Sequence, residues 1–161
     1  MTSMPPLPDP AAQPTYAVSP HAPAYVRPLP TGRMSWALGF LAYIPIPWVN
    51  TLVTGIVMAA VYPSTRRKGV PVATENARIA ANWGLTCILV MLLCLVYTFG
   101  MLVFGSQEVK TGFLPIGWGA VAYMLLGLVH LIVTIMGTVV AGRGEVFRNL
   151  LAIPFIRAKR H

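Results

Sequence analysis

The chain has 161 residues, 56% of them apolar and only 10% charged, with a mean hydropathy of +0.67. A soluble domain carries about a quarter charged residues, so this composition excludes an ordinary water-facing globule and the protein is read as integral to a membrane. Twelve basic against four acidic residues give a net charge of +8; in a soluble protein that excess would point to nucleic acid, but its placement between apolar stretches fits lipid and topology, and no nucleic-acid partner is expected.

Residues 1–33 hold nine of the fifteen prolines. Their composition buries too little apolar surface to offset the entropy of ordering, so a disordered, proline-rich tail is expected. Pro5 to Pro8 and Pro20 to Pro23 have the spacing of proline-rich ligands, and PTYAV and PAYV recur nine residues apart. A solvated spacer accounts for these patterns better than a docking segment does.

A membrane domain over residues 34–158 follows, ending in the basic residues 159–161. It contains three uncharged windows: 32 residues between Arg33 and Arg66, 29 between Arg78 and Glu108, and 32 between Lys110 and Arg143. A hydrocarbon core about 30 Å thick needs about 20 apolar residues as helix, so each window is long enough to cross. Backbone groups in lipid must be paired internally, which leaves helices or closed barrels. The runs ILVMLLCLVYTFGMLVF and AVAYMLLGLVHLIVTIMGTVV lack the alternation of barrel strands. The expected fold class is therefore all-α.

The first window is interrupted by Pro45 and Pro47. Each removes a backbone donor and pushes the residue before it away from helical angles, so a break is expected between about Ile44 and Trp48. The pieces, Ser35 to Ile44 and Pro47 to Tyr62, would be about 15 and 24 Å long. They fit either one kinked span or a helical hairpin that enters and leaves on the same side. The second window predicts a helix from about Ile79 to Phe104, with Thr74 and Glu75 at its start. The third predicts a helix from about Leu114 to Val140, ended by Gly142 and Gly144. Gly55 with Ala59, and Gly137 with Ala141, have the spacing of close helix contacts. Trp36, Trp48, Trp83 and Trp118 fall near helix ends or the break, as interfacial anchors do.

After Gly144, the stretch EVFRNLLAIPFIRAKRH sets Val146, Phe147, Leu150, Leu151 and Ile153 against Glu145, Arg148 and Asn149. This pattern predicts an amphipathic helix lying on the membrane surface, bent or ended at Pro154, in preference to a frayed tail with scattered apolar residues. Arg157, Lys159 and Arg160, with Arg66, Arg67 and Lys68 of the first loop, are expected to meet anionic lipid headgroups. Under the positive-inside rule a hairpin places eleven basic residues inside and one, Lys110, outside, against nine and three for a kinked span. The hairpin is thus the favoured arrangement. It gives a multi-pass protein of the cell inner membrane with both termini cytoplasmic.

The stretch ARIAANW, Ala77 to Trp83, followed by a long apolar helix, resembles the helix entry of a small bacterial membrane family, the domain of unknown function numbered forty-eight-seventy. That family is related to the twenty-kilodalton Tic protein of the chloroplast inner envelope. VVAGRGEVFRNLLAI at the end of the third window is similar to its closing pattern. The resemblance implies a compact four-helix membrane protein, remotely linked to protein import, without an established activity.

Chemistry has little to work with. Glu75, Glu108 and Glu145 sit at helix ends, Asp9 is in the tail, and no nucleophile-elbow, zinc-protease, C-x-x-C or phosphate-loop pattern occurs. No enzyme, cofactor or metal is expected. Cys87 and Cys94 are about 10.5 Å apart along one helix, too far to bridge. Asn82 either hydrogen-bonds a neighbouring helix or lines a polar cavity. His130 is the one imidazole deep in an uncharged window, where ionisable residues are functional candidates; with no carboxylate at that depth, a neutral packing role is expected. The reading is a scaffold or assembly component that binds other membrane proteins or itself, with a transport or protein-translocation subunit, its path lined by Asn82 and His130, as the alternative.

Overall fold

The computed structural model describes residues 29–46 and 48–158, and every regular element among them is helical. The elements are α1 (Arg33–Ala37), a 3-10 helix η1 (Leu38–Tyr43), α2 (Val49–Arg67), α3 (Pro71–Phe104), the short α4 (Gln107–Thr111) and α5 (Phe113–Gly142). Of the proline-rich tail only its last five residues are described, and Pro47, Lys159 and Arg160 also lie outside the described residues.

α3 and the Gly117–Gly142 part of α5 are long and apolar enough to cross a membrane, and only 17% and 28% of their most apolar windows are buried. The core helix of a soluble protein would be largely covered; these two present most of their apolar surface outward. α3 starts eight residues earlier than expected, at Pro71. Proline suits the first helical position because its missing N–H has no partner there anyway. Thr74 therefore lies inside the helix, its Oγ1 donating back to Val70 O at 2.9 Å. α5 ends where Gly144 adopts a left-handed φ of 79°, which lets the Glu145 N–H reach Val140 O.

The break expected in the first window falls between Tyr43 and Val49. Asn50 closes it: its amide donates to Ala42 O and to Ile44 O, so the freed carbonyls at the end of η1 are paired by a side chain of the next helix. Trp48 is held at φ 68°, an uncommon conformation for a bulky residue. Its ring stacks on Tyr123 of α5, with centroids 4.3 Å apart. The chain then folds back, so that η1 packs along α2.

α5 acts as a ruler for this first segment. Arg33 lies beside Gly142, Trp36 covers Gly137, Gly39 meets Thr134, and Tyr43 donates to Gly127 O at 2.7 Å. The tip at Trp48 reaches Tyr123. α2 runs back along α3, with Gly55 and Gly84 in direct backbone contact. A Cβ on Gly137 would stand 2.3 Å from the Trp36 ring, so glycine is required there.

Two expectations are corrected. First, residues 145–158 do not form an amphipathic helix; they run as an irregular strap of bends and turns along α3. Side chains of α3 take the backbone groups that a helix would have paired within itself, and Pro154 could not have donated a helical bond. Second, Trp36 and Trp83 are not interfacial anchors. They are 0% and 2% exposed, Trp36 meeting Phe147 edge to face at 5.2 Å and Trp83 lying over His130.

Candidate functional site

Two buried polar clusters occupy the bundle. The first is a clamp on the strap, built by α3. Asn76, fully buried, donates to Thr31 O at 2.9 Å and to Glu145 O at 2.8 Å, while its Oδ1 accepts from the Phe147 N–H at 3.0 Å. One amide thereby joins the entry to α1, the body of α3 and the start of the strap. Six residues on, Asn82 Oδ1 accepts from the Ile156 N–H at 2.7 Å and its Nδ2 donates to Ile156 O at 3.1 Å. This pairs an amide side chain with a peptide unit as a neighbouring strand would. Thr86 Oγ1 accepts from the Ile153 N–H at 2.9 Å. Arg78 donates to Ile156 O at 2.9 Å and through Nε to Glu75 at 3.0 Å.

The second cluster centres on His130, which is 4% exposed. Trp83 Nε1 donates to its Nδ1 at 3.1 Å. Because indole nitrogen only donates, Nδ1 carries no proton and the ring is the Nε2–H tautomer. That proton points to Gly39 O at 2.9 Å, with Thr134 Oγ1 at 3.3 Å. Cys87 Sγ stands 3.4 Å from Nδ1. Both ring nitrogens are therefore occupied by the protein itself, bringing η1, α3 and α5 to one point.

Beside this hub lies a cavity of about 220 Å³, lined by Tyr43, Asn50, Thr51, Thr54, Tyr123 and His130 among other, mainly apolar, residues. Thr51 Oγ1 and Tyr123 Oη are hydrogen-bonded at 2.7 Å across it. No carboxylate lines it, and the described residues contain no group of three or more metal-ligating side chains. The space is large enough for an apolar group of at least the size of an aromatic ring, or for several waters; it offers no acid and base pair.

Asn82 and His130, paired in the sequence reading as lining one path, are thus separate. Asn82 faces the strap and His130 faces the hub. Of the residues expected at lipid headgroups, Arg66, Arg67 and Lys68 are exposed at the end of α2 and Arg157 is exposed on the strap. Asn76, Thr86, Asn50 and Trp83 were missed as partners in these clusters. Asparagine inside an apolar helix was a usable signal at 76, as it was at 82.

Residues 33–156 match the profile of the MamF/MmsF family, described as the magnetosome magnetite crystal formation protein family. No curated protein matches the chain. No solved structure matches it. The family match overturns the resemblance to the domain of unknown function forty-eight-seventy and to the Tic protein. The ARIAANW stretch that carried the resemblance has a local explanation. Ala77, Ala80 and Ala81 are the fully buried small face of α3, Asn82 holds the strap and Trp83 holds His130. Any tightly packed membrane helix with a polar clamp calls for such residues, so the motif is less specific than it looked.

Proposed function

This chain belongs to the magnetosome magnetite crystal formation family, and from that membership we propose that it is a non-enzymatic scaffold of the magnetosome membrane, acting on magnetite formation through the proteins that its outer faces hold. α3 and α5 cross the membrane in this reading, and the first segment enters and leaves on one side as a re-entrant hairpin. The contacts of Arg33 with Gly142 and of Gly32 with Asn76 support it, since they gather Arg33, Arg78 and Arg143 at one end of the bundle. With Arg66, Arg67 and Lys68 at the α2–α3 turn, that end faces the cytoplasm and its basic side chains meet anionic headgroups.

The observation that carries the proposal is that the two buried polar clusters are satisfied within the chain. His130 spends both nitrogens, and Asn76 and Asn82 spend both amide groups, on partners inside the chain. A path for ions or polar solutes needs polar groups left open to the passenger. What the protein offers to others is outside: Leu93, Val96, Phe99, Leu125 and Leu128 are all more than half exposed.

The translocation alternative has two points in its favour, the cavity beside His130 and the buried Thr54 hydroxyl that lines it without a hydrogen-bond partner. The two readings separate in cells that form magnetite. Alanine at Leu93, Val96 and Leu128 together should change crystal size in electron micrographs while protein abundance holds, and His130→Gln should leave the crystals as they are. The opposite pattern overturns the scaffold.

A further inference from the structure

The first segment does not run the length of the bundle. Its tip meets α5 at Tyr123, nineteen residues from Gly142 and ten from Phe113. At 1.5 Å per residue it flanks about 28 Å of α5 and leaves about 15 Å without it. α3 agrees: its buried residues run from Ala73 to Cys94, and none of the last ten is buried. Beyond the tip, among the described residues, α3 and α5 run on as the only long helices, linked by the short α4 and by contacts such as Tyr97 Oη donating to Pro115 O at 3.0 Å. Among the described residues the bundle is four helical segments wide at its basic end, and at the other it narrows to α3 and α5 with the one-turn α4 between them.

The difference is two helix cross-sections, roughly 200 Å² for helices about 11 Å across. The strap adds to the wide end. It presents Leu150 at 95%, Leu151 at 59% and Phe155 at 48% exposure, beside the exposed Arg148 and Arg157. Apolar side chains next to cations on one face of a membrane insert shallowly into that leaflet alone.

We propose that the protein is a membrane wedge whose preferred partner is a lipid surface convex on the side of its basic end. The inference rests on the re-entrant arrangement set out above. A body wider in one leaflet than in the other displaces more lipid from the first, and the mismatch is relieved where that leaflet is stretched by curvature. The exposed strap residues widen the same leaflet near its headgroups, so both features act in one direction.

The test uses full-length protein lacking Cys87 and Cys94, with a single cysteine at position 67 or 109, reconstituted into small sonicated and large extruded vesicles of one phosphatidylglycerol-containing composition. An impermeant thiol reagent reads which end faces out. In small vesicles, position 67 should be labelled severalfold more than position 109, and in large vesicles the ratio should fall towards parity. An equal ratio at both sizes overturns the wedge. Replacing Leu150, Leu151 and Phe155 by serine should lower the small-vesicle ratio; an unchanged ratio removes the strap from the account. The re-entrant premise is read separately in sealed magnetosome vesicles, where positions 12 and 67 must share a side. If they do not, the arrangement fails, whereas a shared side without a size dependence rejects the wedge alone.

Discussion

Replacing Asn76 by alanine removes the one side chain that joins Thr31, Glu145 and Phe147. A net hydrogen bond is worth about 1 kcal/mol, and a buried partner left unpaired costs about 1–3 kcal/mol. Two of the three bonds hold the strap and the third holds the entry to α1, so the strap should loosen by about 2 kcal/mol. At 1.4 kcal/mol per factor of ten, the Phe147 amide should exchange its hydrogen roughly 30 times faster. Asn82→Ala loses two bonds, both to Ile156, and should speed exchange at Ile156 by roughly 30-fold while leaving Phe147 unaffected. Hydrogen exchange by mass spectrometry in lipid nanodiscs resolves the two ends of the strap. The reasoning is refuted if the Phe147 amide is unprotected in the wild type or indifferent to Asn76→Ala. It is refuted equally if each substitution loosens both ends alike, because the clamp would then not be made of separate bonds.

Other outcomes follow from the same contacts. His130→Gln retains an acceptor for Trp83 and a donor for Gly39 and should leave thermal unfolding in detergent nearly unchanged, whereas His130→Leu should cost about 1 kcal/mol, two interhelical bonds at about 0.6 each; a leucine variant as stable as the wild type would count against the hub. Gly137→Ala drives a methyl into the buried Trp36 ring and should destabilise by about 1–3 kcal/mol, while Gly127→Ala, with nothing within 4 Å of its added carbon, should be neutral or slightly stabilising; equal melting temperatures for the two would contradict the packing. In sealed magnetosome vesicles, cysteines at positions 12 and 67 should react with an impermeant thiol reagent under conditions in which position 109 is protected, and protection of position 12 would make the first window a kinked span.

The break at Pro45 and the two long helices were legible because each rests on a local property. Proline cannot donate, and an uncharged run has a length. The strap was not legible. Val146, Phe147, Leu150 and Leu151 have helical spacing, and nothing local reveals that Asn76, Asn82 and Thr86 will compete for the backbone from about seventy residues away. The outward assignment of Trp36 and Trp83 failed for a related reason. Position near a helix end suits an anchor, but Gly137 opposite Trp36 and His130 opposite Trp83 are tertiary facts. His130 was legible in part: the lack of a deep carboxylate already argued for a neutral ring, and its tautomer followed only once Trp83 was seen to donate to it.

The central claim is that the interior carries no passenger and the protein works by its outer faces. Purified protein reconstituted into liposomes with a trapped pH-sensitive dye measures this most directly, with wild type, His130→Gln and His130→Leu compared across a range of external pH and with metal cations added outside. The account predicts fluxes equal to those of protein-free liposomes for all three. A flux carried by the wild type, dependent on pH and abolished by both substitutions, would contradict it.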